Sequence, residues 1–313
     1  MSISSGQAPA AQTGEASATG KRALVTGVSG FTAQYVVEEL ARAGYRVFGA
    51  VRPGQPVGAD QFAVDLCDAQ AVAAMVNQVL PDVVVHLAAI SFVAHADIDI
   101  IYRVNIGATR NLLAALAGAP HRCSKVLLAS SANIYGNADV GLIPETQPPA
   151  PVNDYAVSKL AMEYMARLWM DRLPIVIVRP FNYTGRGQDE RFLLPKMVAH
   201  FRRRAPTIEL GQQAIARDFS DVRTVAACYR GLLDAGQPGE VYNICSGQSV
   251  SLQAALDMLA EIAGYRIDVQ VNPAFVRAND VLTLAGDNTR LRAAVGDIAP
   301  VPLAATLRWM YEA

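Results

Sequence analysis

Tyr155 and Lys159 stand four positions apart, directly after the turn-like stretch Pro148–Asp154. On a helix this spacing places the phenol and the ammonium on the same face. An ammonium near a phenol favours the tyrosinate, so we expect Lys159 to lower the pKa of Tyr155 and to prepare it for proton transfer near neutral pH. Ser131 follows an apolar run of strand length, where its hydroxyl could hydrogen-bond a substrate carbonyl oxygen. These three residue types predict acid–base chemistry at a carbonyl group.

A glycine-containing turn joins the first apolar run to the first helical stretch. Gly27 permits a tight turn, and Gly30 allows the backbone to approach a pyrophosphate. The helix that begins near Phe31 and Thr32 offers unpaired N–H groups and a partial positive charge to phosphate oxygens. The turn predicts a dinucleotide-binding loop, and Lys159 would then also bind the nicotinamide ribose hydroxyls.

The end of the second apolar run indicates which dinucleotide is bound. NAD-selective sites place a carboxylate there for the ribose 2′-OH, and this chain has no acid before Asp60. Arg52 stands there instead and could form a bidentate contact with a 2′-phosphate. The sequence predicts NADP(H) as the cofactor, with NAD(H) as the alternative. Later strand ends are expected to complete the site, with Asp65 and Leu66 near the adenine and Leu87, Ala88 and Ala89 against the cofactor.

Short apolar runs alternate with amphipathic stretches from Lys21 onward. The runs are continuously apolar, which is typical of parallel strands covered on both faces. The sequence predicts an α/β fold, a Rossmann-type doubly wound parallel sheet with a smaller C-terminal α/β substrate domain. We expect a disordered leader at residues 1–20, a dinucleotide-binding domain at 21–181 plus 217–245, and a sugar-nucleotide-binding domain at 182–216 plus 246–313.

Hydrophobic periodicity gives the bounds of the expected elements. The predicted strands are Ala23–Thr26, Arg46–Val51, Val83–Leu87, Val126–Ser130, Ile175–Val178, Ile208–Leu210 and Val241–Cys245. The predicted helices are Phe31–Ala43, Ala69–Val79, Ile98–Leu116, Tyr155–Arg172, Leu193–Arg204, Val222–Ala235, Leu252–Ala263 and Leu303–Tyr311. The stretch between Leu210 and Val222 is interpreted as a polar segment.

The composition excludes several classes of protein. Hydrophobic residues make up 52% of the 313 residues and charged residues 18%, which excludes a chain that is disordered throughout. The net charge of -1 gives no basic excess for binding nucleic acid. No apolar run reaches the length of about 18 residues that predicts a membrane span. The four cysteines form no CxxC pair, so we expect no metal site and a cytoplasmic protein.

Together these motifs resemble the extended short-chain dehydrogenase/reductase family, whose members act largely on nucleotide-linked sugars. The resemblance extends from Lys21 to Ala313. Besides the glycine loop, the serine and the tyrosine–lysine pair, it rests on His86–Ala89, Arg179–Asn182 and Arg217–Phe219. The chain departs from the family pattern in Asn105–Thr109, where the family usually has its glycine one position later.

Three stretches resemble a narrower group of that family, the GDP-4-dehydro-6-deoxy-D-mannose reductases that form GDP-rhamnose. They are Arg179–Gln188, Ala216–Val222 and Asn272–Val281. The resemblance implies that the sugar nucleotide is held by Ser91, Asn182, Arg217, Arg277 and Asp280. Two arginines suit a diphosphate, because the guanidinium fork matches phosphate oxygens.

The resemblance implies NADPH-dependent reduction of the C4 ketone of a GDP-4-dehydro-6-deoxy-hexose, which gives GDP-D-rhamnose or its C4 epimer GDP-6-deoxy-talose. A sugar-nucleotide 4,6-dehydratase is one alternative, but it needs an acid–base group where this chain has Ala132 and Asn133. A 4-epimerase is another, but it needs tightly held NAD, whereas Arg52 indicates exchangeable NADPH. A non-catalytic NADP-binding sensor is the alternative from another class, and the intact serine, tyrosine and lysine argue against it.

Members of the family usually form dimers by packing two helices of each subunit into a four-helix bundle. The corresponding predicted helices are Ile98–Leu116 and Tyr155–Arg172. The second has more apolar residues than its sheet-facing side needs, namely Leu160, Met162, Met165, Ala166 and Trp169. We therefore expect a homodimer, because such a surface would promote association if it were left exposed.

Overall fold

The computed structural model describes residues 20–91, 97–138, 140–211, 215–275 and 283–313. The strands are β1 (Arg22–Thr26), β2 (Arg46–Val51), β3 (Gln61–Ala63), β4 (Val83–His86), β5 (Lys125–Ala129), β6 (Leu142–Ile143), β7 (Ile175–Pro180), β8 (Asn182–Thr184), β9 (Thr207–Leu210), β10 (Ala216–Asp221), β11 (Val241–Ile244), β12 (Ser249–Ser251), β13 (Asp268–Val271) and β14 (Thr283–Gly286). The α-helices are α1 (Phe31–Arg42), α2 (Ala69–Val79), α3 (Ile98–Tyr102), α4 (Thr109–Gly118), α5 (Asp154–Arg167), α6 (Leu193–Arg202), α7 (Val222–Ala235), α8 (Leu252–Ala263), α9 (Thr289–Val295) and α10 (Leu303–Tyr311). A π-helical segment, Arg103–Ala108, joins α3 to α4, and a 3-10 turn spans Ala132–Tyr135.

The main sheet has the strand order β3-β2-β1-β4-β5-β7-β11. All neighbouring strands in it are parallel. The chain runs outward from β1 to β3 and then returns to β4 on the other side of β1. Doubly wound sheets bind ligands in the crevice at this reversal, beyond the carboxyl ends of the strands. The predicted Rossmann-type fold is confirmed.

Two apolar cores cover the two faces of this sheet. Val25 and Val85 face α1 and α7 in one core, whereas their neighbours Leu24 and Val84 face α2, α4 and α5 in the other. Successive side chains of a strand point to opposite faces, so a strand covered on both sides must be apolar at every position. This is why the strands read as continuous apolar runs.

The C-terminal region has a core of its own. Strands β12, β10, β14 and β6 form a second sheet, in which β8 also pairs with β10. Strands β9 and β13 form a separate two-stranded sheet. Helices α6, α8 and α10 enclose an apolar cluster around Phe201, Leu256 and Leu307. Strand β10 lies at the expected domain boundary of residue 217 and belongs to the second sheet.

Several predicted bounds are confirmed, and two predictions are wrong. Helices α2, α7, α8 and α10 begin and end where periodicity indicates. Helix α5 ends at Arg167 rather than Arg172. The stretch interpreted as a polar segment contains β10, whose buried residues are Asp218, Ser220 and Asp221. Hydrophobic periodicity does not detect a strand whose buried positions are polar.

The interpretation of the apolar residues in the predicted helix Tyr155–Arg172 is also wrong. All five pack inside the fold: Met162 and Ala166 are buried, and Met165, Trp169 and Leu160 pack against core clusters. Helix α5 packs against α4 and the 3-10 turn as well as the sheet. These contacts together cover a wider apolar surface than contact with the sheet alone would. The exposed apolar side chains are instead Val157, Tyr164 and Leu168. No helix in the described ranges is long and apolar enough to cross a membrane.

Candidate active site

The first turn of α5 fixes the position of Tyr155. The Asn153 side chain caps the helix by accepting a hydrogen bond from the backbone N–H of Ala156 at 2.9 Å. In the same turn, Asp154 accepts a hydrogen bond from the hydroxyl of Tyr102 at 2.8 Å, which ties α5 to α3. Tyr155 itself is buried. The phenol therefore lies on a turn of helix that is held from two sides.

Ser131 meets Tyr155 from the carboxyl end of β5. Its hydroxyl accepts the backbone N–H of Asn133 at 3.2 Å and forms a hydrogen bond with the phenol of Tyr155. The 3-10 turn ends at Gly136, whose φ is +60°. A Cβ atom there would lie 1.9 Å from the carbonyl oxygen of Ala150, so the turn requires glycine.

Lys159 lies one turn further along α5 and is 5% exposed. Its Nζ donates a 2.7 Å hydrogen bond to the carbonyl oxygen of Ala129 and lies 6.0 Å from the centre of the Tyr155 ring. Burial lowers the pKa of Lys159 to about 8, and the carboxylate of Glu163 acts in the opposite direction. The ammonium is retained at neutral pH, but it is close to losing its proton.

The direction of the Tyr155 pKa shift contradicts the expectation from sequence. Burial raises the pKa of Tyr155 to about 12, although the hydrogen bond with Ser131 acts in the opposite direction. Desolvation of the phenolate dominates, and the Lys159 ammonium is directed at Ala129. The expected net lowering of this pKa is wrong, because desolvation outweighs every opposing effect. The phenol is neutral at physiological pH and can donate a proton.

The predicted glycine loop lies at the crevice between β1 and β4. Gly27 has a φ of +70°, and a Cβ atom on it would lie 2.9 Å from Ala88. The backbone N–H of Ala88 in turn donates to the Thr26 hydroxyl at 3.2 Å. Helix α1 follows at Phe31 and has no side-chain cap on its first turn. This bare backbone at a helix start fits the pyrophosphate of a dinucleotide.

The other predicted cofactor residues lie at strand ends. Arg52 is exposed directly after β2. Asp65 accepts the backbone N–H of Cys67 at 2.9 Å, and Leu66 packs against the core beneath α2. Leu87, Ala88 and Ala89 follow β4 and are partly buried.

A cleft with a volume of about 110 Å³ lies beside Ser131. It brings together Ser131, Asn182 and Arg217 from three separate parts of the chain, and Asn133 also lines it. Ser91 is exposed, and the predicted substrate residues Arg277 and Asp280 lie outside the described residues. In the ranges that are described, no three His, Cys, Asp or Glu side chains are close enough to hold a metal ion.

Sequence reasoning missed a buried polar chain behind the site. The Thr109 hydroxyl donates to the carbonyl oxygen of Asn105, so it accepts a hydrogen bond from the Nε2–H of His86. Nδ1 of His86 then accepts from Thr26, next to the glycine loop. Burial lowers the pKa of His86 to about 3, which keeps the ring neutral. Polar residues within apolar runs were the available signal.

A second missed residue is Tyr183, which follows the predicted substrate residue Asn182. Its hydroxyl lies 2.7 Å from the hydroxyl of Thr32, and its ring stacks on Phe31 with 6.1 Å between ring centres. Tyr183 therefore joins the start of α1 to the strand that leads into the cleft. Its position next to Asn182 was the only local signal.

The sequence matches the model of the NAD dependent epimerase/dehydratase family over residues 23–245. The chain belongs to this family. The match includes the glycine loop, Ser131, Tyr155 and Lys159, and the predicted resemblance is confirmed. As a member of the epimerase/dehydratase family, the chain is an enzyme that uses NAD(P).

Two epimerase/dehydratase relatives match along nearly the whole chain. GDP-6-deoxy-D-talose 4-dehydrogenase of Aggregatibacter actinomycetemcomitans is 34% identical over 291 residues, 92% of this chain and 96% of that enzyme. GDP-6-deoxy-D-mannose reductase of Pseudomonas aeruginosa is 31% identical over 299 residues, 92% of this chain and 95% of that enzyme. The chain is a sugar-nucleotide-modifying enzyme.

Solved structures agree with this assignment. A putative epimerase from Burkholderia cenocepacia J2315 is 55% identical, with a TM-score of 0.89 over 93% of this chain and 97% of that one. RMD from Pseudomonas aeruginosa, solved in complex with NADPH, is 30% identical, with a TM-score of 0.82 over 93% of this chain and 98% of that one. The predicted cofactor class, NADP(H) or NAD(H), is confirmed.

Proposed function

We propose that this enzyme reduces the C4 ketone of a GDP-4-dehydro-6-deoxy-hexose with NADPH. The product is GDP-D-rhamnose or its C4 epimer, GDP-6-deoxy-talose. The observation that carries the proposal is Ser131, which lines a cleft together with Asn182 and Arg217 and hydrogen-bonds the phenol of Tyr155. Buried Lys159 lies one turn beyond Tyr155 on α5. Two relatives of the chain act on GDP-linked 6-deoxyhexoses.

The residues of the site can divide the work of a carbonyl reduction. When NADPH is bound, its nicotinamide supplies the hydride that adds to C4. Tyr155, neutral at physiological pH, gives its proton to the C4 oxygen, and Ser131 hydrogen-bonds that oxygen. Lys159 supplies positive charge beside the phenol as it loses its proton. Gly27 and Gly30 would hold the pyrophosphate.

Asn133 favours reduction over dehydration. A 4,6-dehydratase removes water across C5 and C6 and needs an acid–base group beside the substrate. In the cleft, Asn133 stands next to Ser131. A carboxamide cannot act as a general acid or base near neutral pH, so elimination would lack its catalyst while hydride transfer would not.

A C4 epimerase is the second candidate, because one similar solved structure is described as a putative epimerase. Epimerisation oxidises and re-reduces the same carbon, so it consumes no NADPH in net terms. The two candidates therefore differ in the stoichiometry of the cofactor.

The deciding experiment supplies NADPH with GDP-, dTDP- or UDP-linked 4-dehydro-6-deoxy sugars. We expect the GDP substrate to consume one NADPH per product, and NMR of the product to give the configuration at C4. Turnover of the dTDP or UDP sugar alone would refute the assignment of the nucleotide. Interconversion of two GDP-hexoses without loss of NADPH would favour the epimerase.

Arg52 is proposed to select NADPH through the 2′-phosphate. Replacing it with Ala should weaken NADPH binding by about 1–3 kcal/mol and leave NADH binding nearly unchanged. The matched control is Arg122→Ala, because Arg122 is exposed before β5, at the amino ends of the strands, whereas Arg52 lies at their carboxyl ends. Equal weakening of both cofactors by Arg52→Ala would show that this arginine is structural.

The enzyme is further proposed to form a homodimer through α3 and α5. On its outer face α5 exposes Val157, Tyr164 and Leu168, and Ile98 is exposed on α3. Helices α3 and α5 are adjacent and joined by the hydrogen bond of Tyr102. Apolar side chains clustered on neighbouring helices indicate an interaction surface.

A further inference from the structure

Helix α5 has a third polar residue on the face that carries the tyrosine and the lysine. Tyr155, Lys159 and Glu163 are spaced by four residues, so they follow one another along the same side of the helix. Glu163 is buried, as Lys159 is. A buried carboxylate costs free energy unless it is paired, so its place one turn beyond Lys159 requires an explanation.

Arg179 holds the carboxylate of Glu163 with two of the three nitrogen atoms of its guanidinium. Nε of Arg179 donates to Oε1 at 2.9 Å, and Nη2 donates to Oε2 at 2.7 Å. The third nitrogen, Nη1, donates to the hydroxyl of Tyr135 at 2.9 Å and to the carbonyl oxygen of Glu145 at 3.0 Å. Tyr135 donates onward to Asn243 at 2.7 Å. Strand β7, the 3-10 turn and β11 thus fix the carboxylate in one place.

The titratable groups around Lys159 lie on three elements. On α5, Tyr155 is neutral, because burial raises its pKa to about 12, and Glu163 is negative. On β4, His86 is neutral, because burial lowers its pKa to about 3. On β7, Arg179 is positive and is matched by Glu163. The carboxylate of Glu163 is therefore the charge that favours the ammonium against its burial.

We propose that Glu163 is a positioning residue for the reduction: fixed by Arg179, it keeps Lys159 in its charged form inside the protein. This inference rests on the proposed function, in which the Lys159 ammonium stands beside Tyr155 as the phenol gives up its proton. Glu163 touches neither Tyr155 nor the cleft side of Ser131 in this scheme and acts through Lys159 alone. Arg179 in turn keeps Glu163 at its distance from Lys159.

The direct test is the titration of Lys159 by NMR. The chain has only four lysines, Lys21, Lys125, Lys159 and Lys196, so lysine labelled with ¹³C at Cε gives few signals, and Lys159→Met assigns the relevant one. We expect Glu163→Gln, which keeps the shape and removes the charge, to lower the pKa of Lys159 by at least about one unit. The measurement needs no substrate, so it stands whether or not the proposed reduction is correct.

Turnover provides the second readout. In Glu163→Gln the alkaline limb of kcat should move to lower pH by the same amount, with little change in KM. A purely structural loss would lower kcat by one factor at every pH. Glu163→Asp, which retains the charge, should restore the wild-type limb.

A third variant separates charge from folding. Glu163→Gln leaves Arg179 unpaired, which can destabilise the fold, whereas Glu163→Gln/Arg179→Met removes both charges. We expect the double variant to shift the Lys159 titration in the same direction by a smaller amount. An unmoved titration in the folded variants would overturn the proposal. So would a wild-type Lys159 that loses its proton below about pH 7, because the carboxylate would then not be keeping it charged.

Discussion

Both faces of helix α5 contain residues that depart from the usual arrangement of buried apolar and exposed polar side chains. The inner face buries Tyr155, Lys159 and Glu163, and the lysine is 5% exposed. The outer face leaves Val157, Tyr164 and Leu168 in solvent, and the leucine is 78% exposed. The proposed reduction would explain the first face, because it needs an ammonium beside the buried phenol. The proposed dimer interface would explain the second. The comparison teaches that amphipathicity alone does not say which face of a helix is inside.

The largest expected effect comes from removing the hydroxyl of Tyr155 on the inner face of α5. Tyr155→Phe keeps the ring and removes the proton donor, so turnover should fall by roughly 10²- to 10⁴-fold while NADPH binding changes little. The matched control is Tyr164→Phe, the same change on the outer face of the same helix, and it should leave turnover unchanged. Steady-state kinetics and NADPH titration measure both.

Tyr155→Phe with nearly wild-type turnover would remove Tyr155 from the mechanism. An equal loss in Tyr164→Phe would show that disturbance of the helix, and not the missing proton donor, lowers the rate.

The next largest effect concerns the free-energy cost of burying the Lys159 ammonium. Lys159 has a pKa of about 8 in the folded chain against 10.5 as the ordinary value, a difference of about 3 kcal/mol in favour of the unfolded state at neutral pH. Lys159→Met removes this cost but leaves the carbonyl of Ala129 without its donor, which costs about 1 kcal/mol. We expect a net gain of about 2 kcal/mol in the free energy of unfolding at pH 7, together with loss of turnover.

The stability difference between Lys159→Met and the wild type should depend on pH. The folded pKa is lowered, so the penalty is complete below about pH 8 and disappears as the pH rises to about 10.5, where the unfolded lysine also loses its proton. The advantage of Lys159→Met in urea unfolding should therefore shrink over this range. Arg167→Met, on an exposed position of α5, should change stability by less than about 0.5 kcal/mol. A destabilised Lys159→Met at pH 7 would contradict the assigned cost of burial.

The variant expected to disturb the fold least tests the outer face of α5. Leu168→Glu should convert a dimer into a monomer in sedimentation velocity at micromolar concentration, because a carboxylate would be buried without a partner. Met165→Glu is the wrong variant for this purpose, since Met165 packs against the core. Gln253→Glu, an exposed position on α8, serves as the control. A monomeric wild type would exclude the dimer, and a dimeric Leu168→Glu would place the interface elsewhere.

The sequence alone determined the parallel sheet, the glycine loop and the pairing of Tyr155 with Lys159. Each of these depends on residues close together in the chain: continuous apolar runs, a turn that only glycine allows, and a spacing of one helical turn. The bounds of α2, α7, α8 and α10 follow from the same local periodicity. Hydrophobic periodicity did not predict strand β10, because the buried positions of that strand are polar.

Only the tertiary structure decided how the inner face of α5 is charged. Arg179 meets Glu163 across 16 residues and Tyr135 across 44, and no local pattern requires either contact. The raised pKa of Tyr155 depends on how completely the fold removes water from the phenol, and this overrides the effect expected from its neighbour Lys159. Helix spacing fixes which side chains share a face. Burial, the sum of contacts from distant parts of the chain, decides which face is inside and what charge its residues carry.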